Sequence, residues 1–100
     1  MRDAQCKRCS QSIQYSPRTN FILFCPKCRK SVLTECEYGY GPVTPCGILL
    51  GGEEIGVVEK KGYLYILKTQ NETIALDKEY LEALHEACDI MERRLGDSEG

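Results

Sequence analysis

"CKRCSQSIQYSPRTNFILFCPKC", residues 6 to 28, carries four of the seven cysteines as two Cys-x2-Cys pairs with 15 residues between them. A Cys-x2-Cys turn presents two thiolates from one tight knuckle, and an intervening chain of this length can return to supply two more. Tetrahedral zinc takes four such soft ligands with Zn–S near ~2.3 Å, so Cys6, Cys9, Cys25 and Cys28 are the expected ligands of one zinc per chain. Iron on the same four thiolates is the alternative metal. A redox dithiol would place its first cysteine at the start of a helix within a βαβ pattern. Here "NFILF" (20–24) precedes the second pair and β-branched "SVLT" (31–34) follows it.

Between the pairs, "SIQYS" (12–16) and "NFILF" are short β-prone runs, and "SPRTN" (16–20) has the composition of a turn. They predict a hairpin linking the two knuckles. Seven cysteines would leave a disulfide framework with one thiol over. The N-terminus lacks the apolar core of a signal peptide, and no apolar run approaches the roughly 18 residues of a membrane span. Together these features predict a cytoplasmic chain with no membrane partner, in which disulfides are the least expected use of cysteine.

About residues 4 to 34 resemble the zinc ribbon group of folds, with "CKRC" and "CPKC" as the knuckles. Many ribbon knuckles carry Gly after the second cysteine. Ser10 and Arg29 stand there in this chain, which implies less regular knuckles. "CKRC" followed by "CPKCRK" (25–30) is also similar to the Com RNA regulators of Mu-like phages. That likeness is confined to the ribbon and implies RNA binding.

The chain's charge of −2 hides a division. Residues 1–34 carry seven basic side chains against Asp3 alone, a local +6, and residues 35–100 carry six basic and fourteen acidic, a local −8. Zinc on four thiolates contributes −2, so the first third keeps a positive surplus. Lys7, Arg8, Arg18, Lys27, Arg29 and Lys30, interleaved with Tyr15, Phe21 and Phe24, suit phosphate neutralisation and stacking on unpaired bases of RNA or single-stranded DNA. The structural alternative is that the aromatics roof a small metal core while the cations stabilise thiolate charge.

"ECEYGYGPVTPCG" (35–47) breaks regular structure and reads as a connector, whose Tyr38 and Tyr40 either pin the loop or form a recognition surface. "GILL", "EIGVVEK", "YLYILKT" and "TIALD" then predict an antiparallel meander. Gly51-Gly52 suits a two-residue hairpin loop, and Glu59 to Gly62 a three-residue one with Gly62 in the left-handed region. From Asp77 as N-cap, a helix over 78–95 is expected to stop at Gly96, burying a stripe of Leu81, Leu84, Cys88, Met91 and Leu95. Glu79, Glu82, Glu86 and Asp89 make its other face acidic.

Cys36, Cys46, His85 and Cys88 could complete a second Cys3His site, or Cys88 is a small buried hydrophobe bordered by His85. Cys46 as a nucleophile with His85 as base has only composition behind it. A four-cysteine cage leaves no open position for substrate, so no enzymatic activity is expected.

The sequence therefore predicts a small α+β protein: a zinc ribbon (1–34), a connector (35–47), and a β-meander with one C-terminal helix (48–100). Its expected role is a non-catalytic regulator of transcription or translation that touches nucleic acid through the basic ribbon. The alternative is a protein-protein adaptor whose acidic helix or sheet edge recruits a larger enzyme. Neither the process nor the oligomeric state is written in the sequence.

Overall fold

The computed structural model describes residues 2–16, 20–35 and 45–97. Within them lie strands β1 (Arg2–Gln5), β2 (Ser12–Tyr15), β3 (Phe21–Phe24), β4 (Ser31–Glu35), β5 (Cys46–Leu50), β6 (Glu53–Lys61), β7 (Leu64–Thr69) and β8 (Thr73–Leu76), followed by helix α1 (Tyr80–Asp97). This is the small α+β architecture that the sequence predicts. No described helix is long and apolar enough to cross a membrane.

Strand β3 organises the molecule. Its four residues are all buried, and the period-2 alternation of a strand sends Phe21 and Leu23 to one face and Ile22 and Phe24 to the other. A strand covered on both faces belongs in the middle of a layered structure. Strand β3 accordingly lies between β4, antiparallel, and β5, parallel, in a six-stranded sheet of order β4-β3-β5-β6-β7-β8. One face packs on α1, where Ile22, Phe24, Ile48, Val58, Leu67 and Leu76 meet Tyr80, Ala83, Leu84, Ala87 and Met91. The other face of β3 and β5 carries the β1–β2 hairpin, where Phe21, Leu23 and Leu49 meet Ile13, Tyr15, Cys6 and Cys25.

The expected β2–β3 hairpin does not form: β2 pairs with β1, and β3 with β4 and β5. Each cysteine pair instead sits at the tip of its own hairpin. The physical reason is the doubly apolar β3, which a two-stranded ribbon cannot cover. Sheet pairing of β3 with β5 also runs across the connector, of which residues 36–44, with Tyr38 and Tyr40, lie outside the described residues.

The meander forms from β5 to β8. Gly51 (φ +64°) and Gly62 (φ +63°) occupy the first central position of their loops, where tight hairpins need a positive φ. Both loops have two residues. Strand β6 runs on to Lys61, which faces Leu64, so the expected three-residue loop is one residue shorter.

Helix α1 begins at Tyr80, not after Asp77, and continues past Gly96. The first helical amide contact is Ala83 N–H to the Glu79 carbonyl at 2.7 Å, because the chain leaving buried Leu76 needs Asp77 to Glu79 to turn onto the sheet. The buried stripe is Tyr80, Ala83, Leu84, Ala87 and Met91. Cys88 and Leu95 flank it, and Leu81 is 46% exposed. Ala83 and Ala87 are fully buried on the stripe, and Leu81 lies off it.

Cys46, fully buried at the start of β5, is disulfide-bonded, the use of cysteine least expected from the sequence. It therefore offers neither a thiolate to a second metal nor a nucleophile to His85. A disulfide in a chain that also keeps free thiols means that cysteine usage alone does not fix the compartment.

Candidate metal centre

The two knuckles repeat one backbone design. In the first, Cys6 N–H donates to the Gln11 carbonyl (3.0 Å) and Ser10 N–H to the Cys6 carbonyl (2.8 Å); in the second, Cys25 N–H donates to Lys30 (3.0 Å) and Arg29 N–H to Cys25 (2.7 Å). Both turns close through a left-handed residue, Ser10 at φ 61° and Arg29 at φ 60°. The missing glycines therefore do not make the knuckles irregular; the chain tolerates the steric cost of a Cβ there, of order 1–2 kcal/mol per residue. Ser10→Gly is expected to raise the stability of the metal-loaded protein by about 0.5–1 kcal/mol, because strain relief is partly offset by the freer unfolded chain. A lowered denaturation midpoint would show that the Ser10 side chain supports the knuckle in another way.

Hairpin packing brings the four sulfurs together. Cys6 Sγ lies 3.7 Å from Cys28 Sγ, Cys9 Sγ lies 3.6 Å from Cys25 Sγ, and all four are within 4.8 Å of one another. A tetrahedron with Zn–S near ~2.3 Å has edges of roughly 3.8 Å. All four cysteines are free thiols, and the close pairs run between knuckles, as a shared central ion requires. Cys6 and Cys25 are buried, with Cys9 and Cys28 at the rim. The donor set fits one tetrahedral ion such as zinc, and iron equally.

The sulfurs perturb one another's titration. Backbone N–H groups, first that of Cys9 and then that of Arg8, favour the Cys6 thiolate and lower its pKa to about 6. Cys28 is pushed up to about 12, first by its hydrogen bond with the Cys9 sulfur and then by burial. The four thiols titrate as one interacting set, and a divalent ion would replace their shared protons as the group that holds the sulfurs together.

Around this centre Lys7, Arg8, Lys27 and Lys30 are exposed. Gln5, Lys7 and Arg8 line an open cleft with Ser31 and Val32 of β4. Two proposed contact residues are placed differently. Tyr15 is 4% exposed and packs on Phe21 with ring centroids 5.3 Å apart, so it is core and not a stacking platform. Arg29 Nη1 donates to the Leu95 carbonyl at 2.8 Å, a contact that the charge count gave no sign of. Arg18 lies outside the described residues.

Of the second-site candidates, Cys36 lies outside the described residues, Cys46 is disulfide-bonded, and His85 and Cys88 remain. Among the described residues the only group of metal-ligating side chains is the four-cysteine one. His85 and Cys88 instead line an apolar cleft of about 190 Å³ with Ile22, Thr34, Leu81 and Leu84. Burial raises the Cys88 pKa there, as for a small hydrophobe.

No family model, curated protein or solved structure matches the chain. The metal centre thus rests on its own geometry, two Cys-x2-Cys knuckles with all four sulfurs within 4.8 Å of one another.

Proposed function

We propose that the protein is a non-catalytic regulator whose zinc-bearing knuckles bind the phosphate backbone of single-stranded RNA or DNA. One observation carries the reading. The sulfur contacts join two knuckles that each carry exposed cations, Lys7 and Arg8 on the first and Lys27 and Lys30 on or beside the second. Exposed cations on both knuckles attract phosphates, while among the described residues Tyr15, Phe21 and Phe24 are buried and offer no ring for base stacking. Contact is therefore backbone-led and weakly sequence-selective. The closed four-sulfur cage gives the metal a structural role.

Anisotropy titrations of zinc-loaded protein with labelled single strands are expected to show affinity falling with salt at a log–log slope of about −3, four neutralised phosphates at roughly −0.7 each. Replacing Lys7, Arg8, Lys27 and Lys30 by Ala should flatten that slope toward zero. Binding with no salt dependence, or an unchanged slope in the fourfold variant, would remove nucleic acid from this face.

A second reading, a protein adaptor, draws on half-exposed Leu81 beside the apolar cleft and on exposed Glu82 and Asp89 along α1. It requires a partner retained by the protein after nuclease treatment.

A further inference from the structure

We propose that the fold couples metal loading at the knuckles to docking of the last turns of α1, through Arg29. This rests on the metal centre described above and adds a conformational consequence to it. The knuckles match in backbone, yet only the second places a long cation at its left-handed position. That cation, one residue after the ligand Cys28, donates from Nη1 to the Leu95 carbonyl at 2.8 Å. Leu95 lies in the last turn of α1, at the negative end of the helix dipole, where a cation is favourable. Two residues further on, Ser31 N–H donates to Glu92 Oε1 at 3.3 Å. Residues on both sides of Lys30 thus grip the helix.

The grip depends on the knuckle holding its shape. Arg29 keeps φ near 60° through its N–H to the Cys25 carbonyl and the Cys25 N–H to Lys30, a loop whose two cysteines the metal would tie to Cys6 and Cys9. With the metal gone, the left-handed residue is free to relax to an ordinary φ, which swings the guanidinium away from Leu95. Met91, 4% exposed and one turn before Leu95, belongs to the α1-side core with Phe24, so loosening the helix end opens that core at the metal-proximal end. Linkage makes the effect reciprocal: a docked helix holds the knuckle closed and slows metal loss.

The test is hydrogen exchange on the full chain, zinc-loaded and after chelation, for wild type and Arg29→Met, which keeps much of the aliphatic reach and loses the donor. In loaded wild type, amides of residues 92–96 should be protected, and chelation should speed their exchange about tenfold. Loaded Arg29→Met should already show the faster exchange, still bind one zinc, keep residues 2–15 protected, and surrender zinc to a competing chelator several-fold faster. Glu92→Gln, which weakens the Ser31 contact without changing a cysteine, should give a smaller change of the same kind. Equal protection of 92–96 in loaded wild type and both variants, or no change on chelating wild type, would overturn the coupling. A wild-type chain that binds no metal would overturn the centre and the coupling together.

Discussion

Cys25→Ser is expected to abolish stable metal binding and to release residues 2–15 from the sheet, while β3 stays paired with β5. Cys25 is fully buried and its sulfur lies 3.6 Å from that of Cys9, so the change removes one corner of the tetrahedron and one of the two close links between knuckles. Losing an outer-shell partner of a metal ligand typically costs 10–100-fold in affinity, and losing the ligand itself should cost more. Structural zinc contributes about 10–16 kcal/mol in small domains. Strands β1 and β2 have four residues each, and only Ile13 and Tyr15 in them are buried, with Ala4 partly so. Such a two-stranded hairpin is marginal without the ion. Strand β3 has neighbours on both sides and apolar cover from α1, so its pairing survives. Amide exchange with metal analysis by mass spectrometry checks both parts. Retained zinc, or loss of protection spreading equally to β5 and β7, would contradict this division of the molecule.

That division was only partly legible in the sequence. The metal ligands were readable because Cys-x2-Cys spacing reflects local covalent reach, which survives ignorance of the fold. Gly51 and Gly62 were readable for a similar reason, since a positive φ at a tight hairpin leaves few residue choices. Strand partners were not readable. "RDAQ" carries no strand signal, and β1 exists because β2 and the first knuckle hold it. The clue that was available lay in "FILF": an unbroken apolar run indicates a strand buried on both faces, incompatible with a free-standing ribbon hairpin.

At the other end, Asp77 gave a cap signal that the chain does not use, because tertiary placement of Leu76 and Tyr80 sets where the helix begins. The stripe misled in its outermost member. Leucines dominate a periodicity count, whereas the helix approaches the sheet through Ala83 and Ala87. Composition similarly assigned Arg29 and Tyr15 to a binding surface. A charge or an aromatic does not reveal its direction, and these two side chains point to the helix terminus and the metal-side core.

Phe24→Ala is the substitution expected to cost most without touching a ligand. Its ring is fully buried in the α1-side core, although its neighbour Cys25 belongs to the metal-side core, because the pleat turns successive side chains to opposite faces. Truncating a buried Phe typically costs about 3–5 kcal/mol, the lost transfer energy plus the cavity. Set against the roughly 5–15 kcal/mol that stabilises a small domain, this is a large share. Urea unfolding of the zinc-loaded variant should show a much lower midpoint, with the metal still bound before the transition because the four sulfurs lie on the opposite side of β3. Tyr63→Ala, at the fully exposed tip of the β6–β7 hairpin, should move the midpoint by no more than about 0.5 kcal/mol and serves as the control. If Phe24→Ala instead released zinc while leaving α1 protected, β3 would present Phe24 to the metal side, and the two-core description of the sheet would have to be reversed.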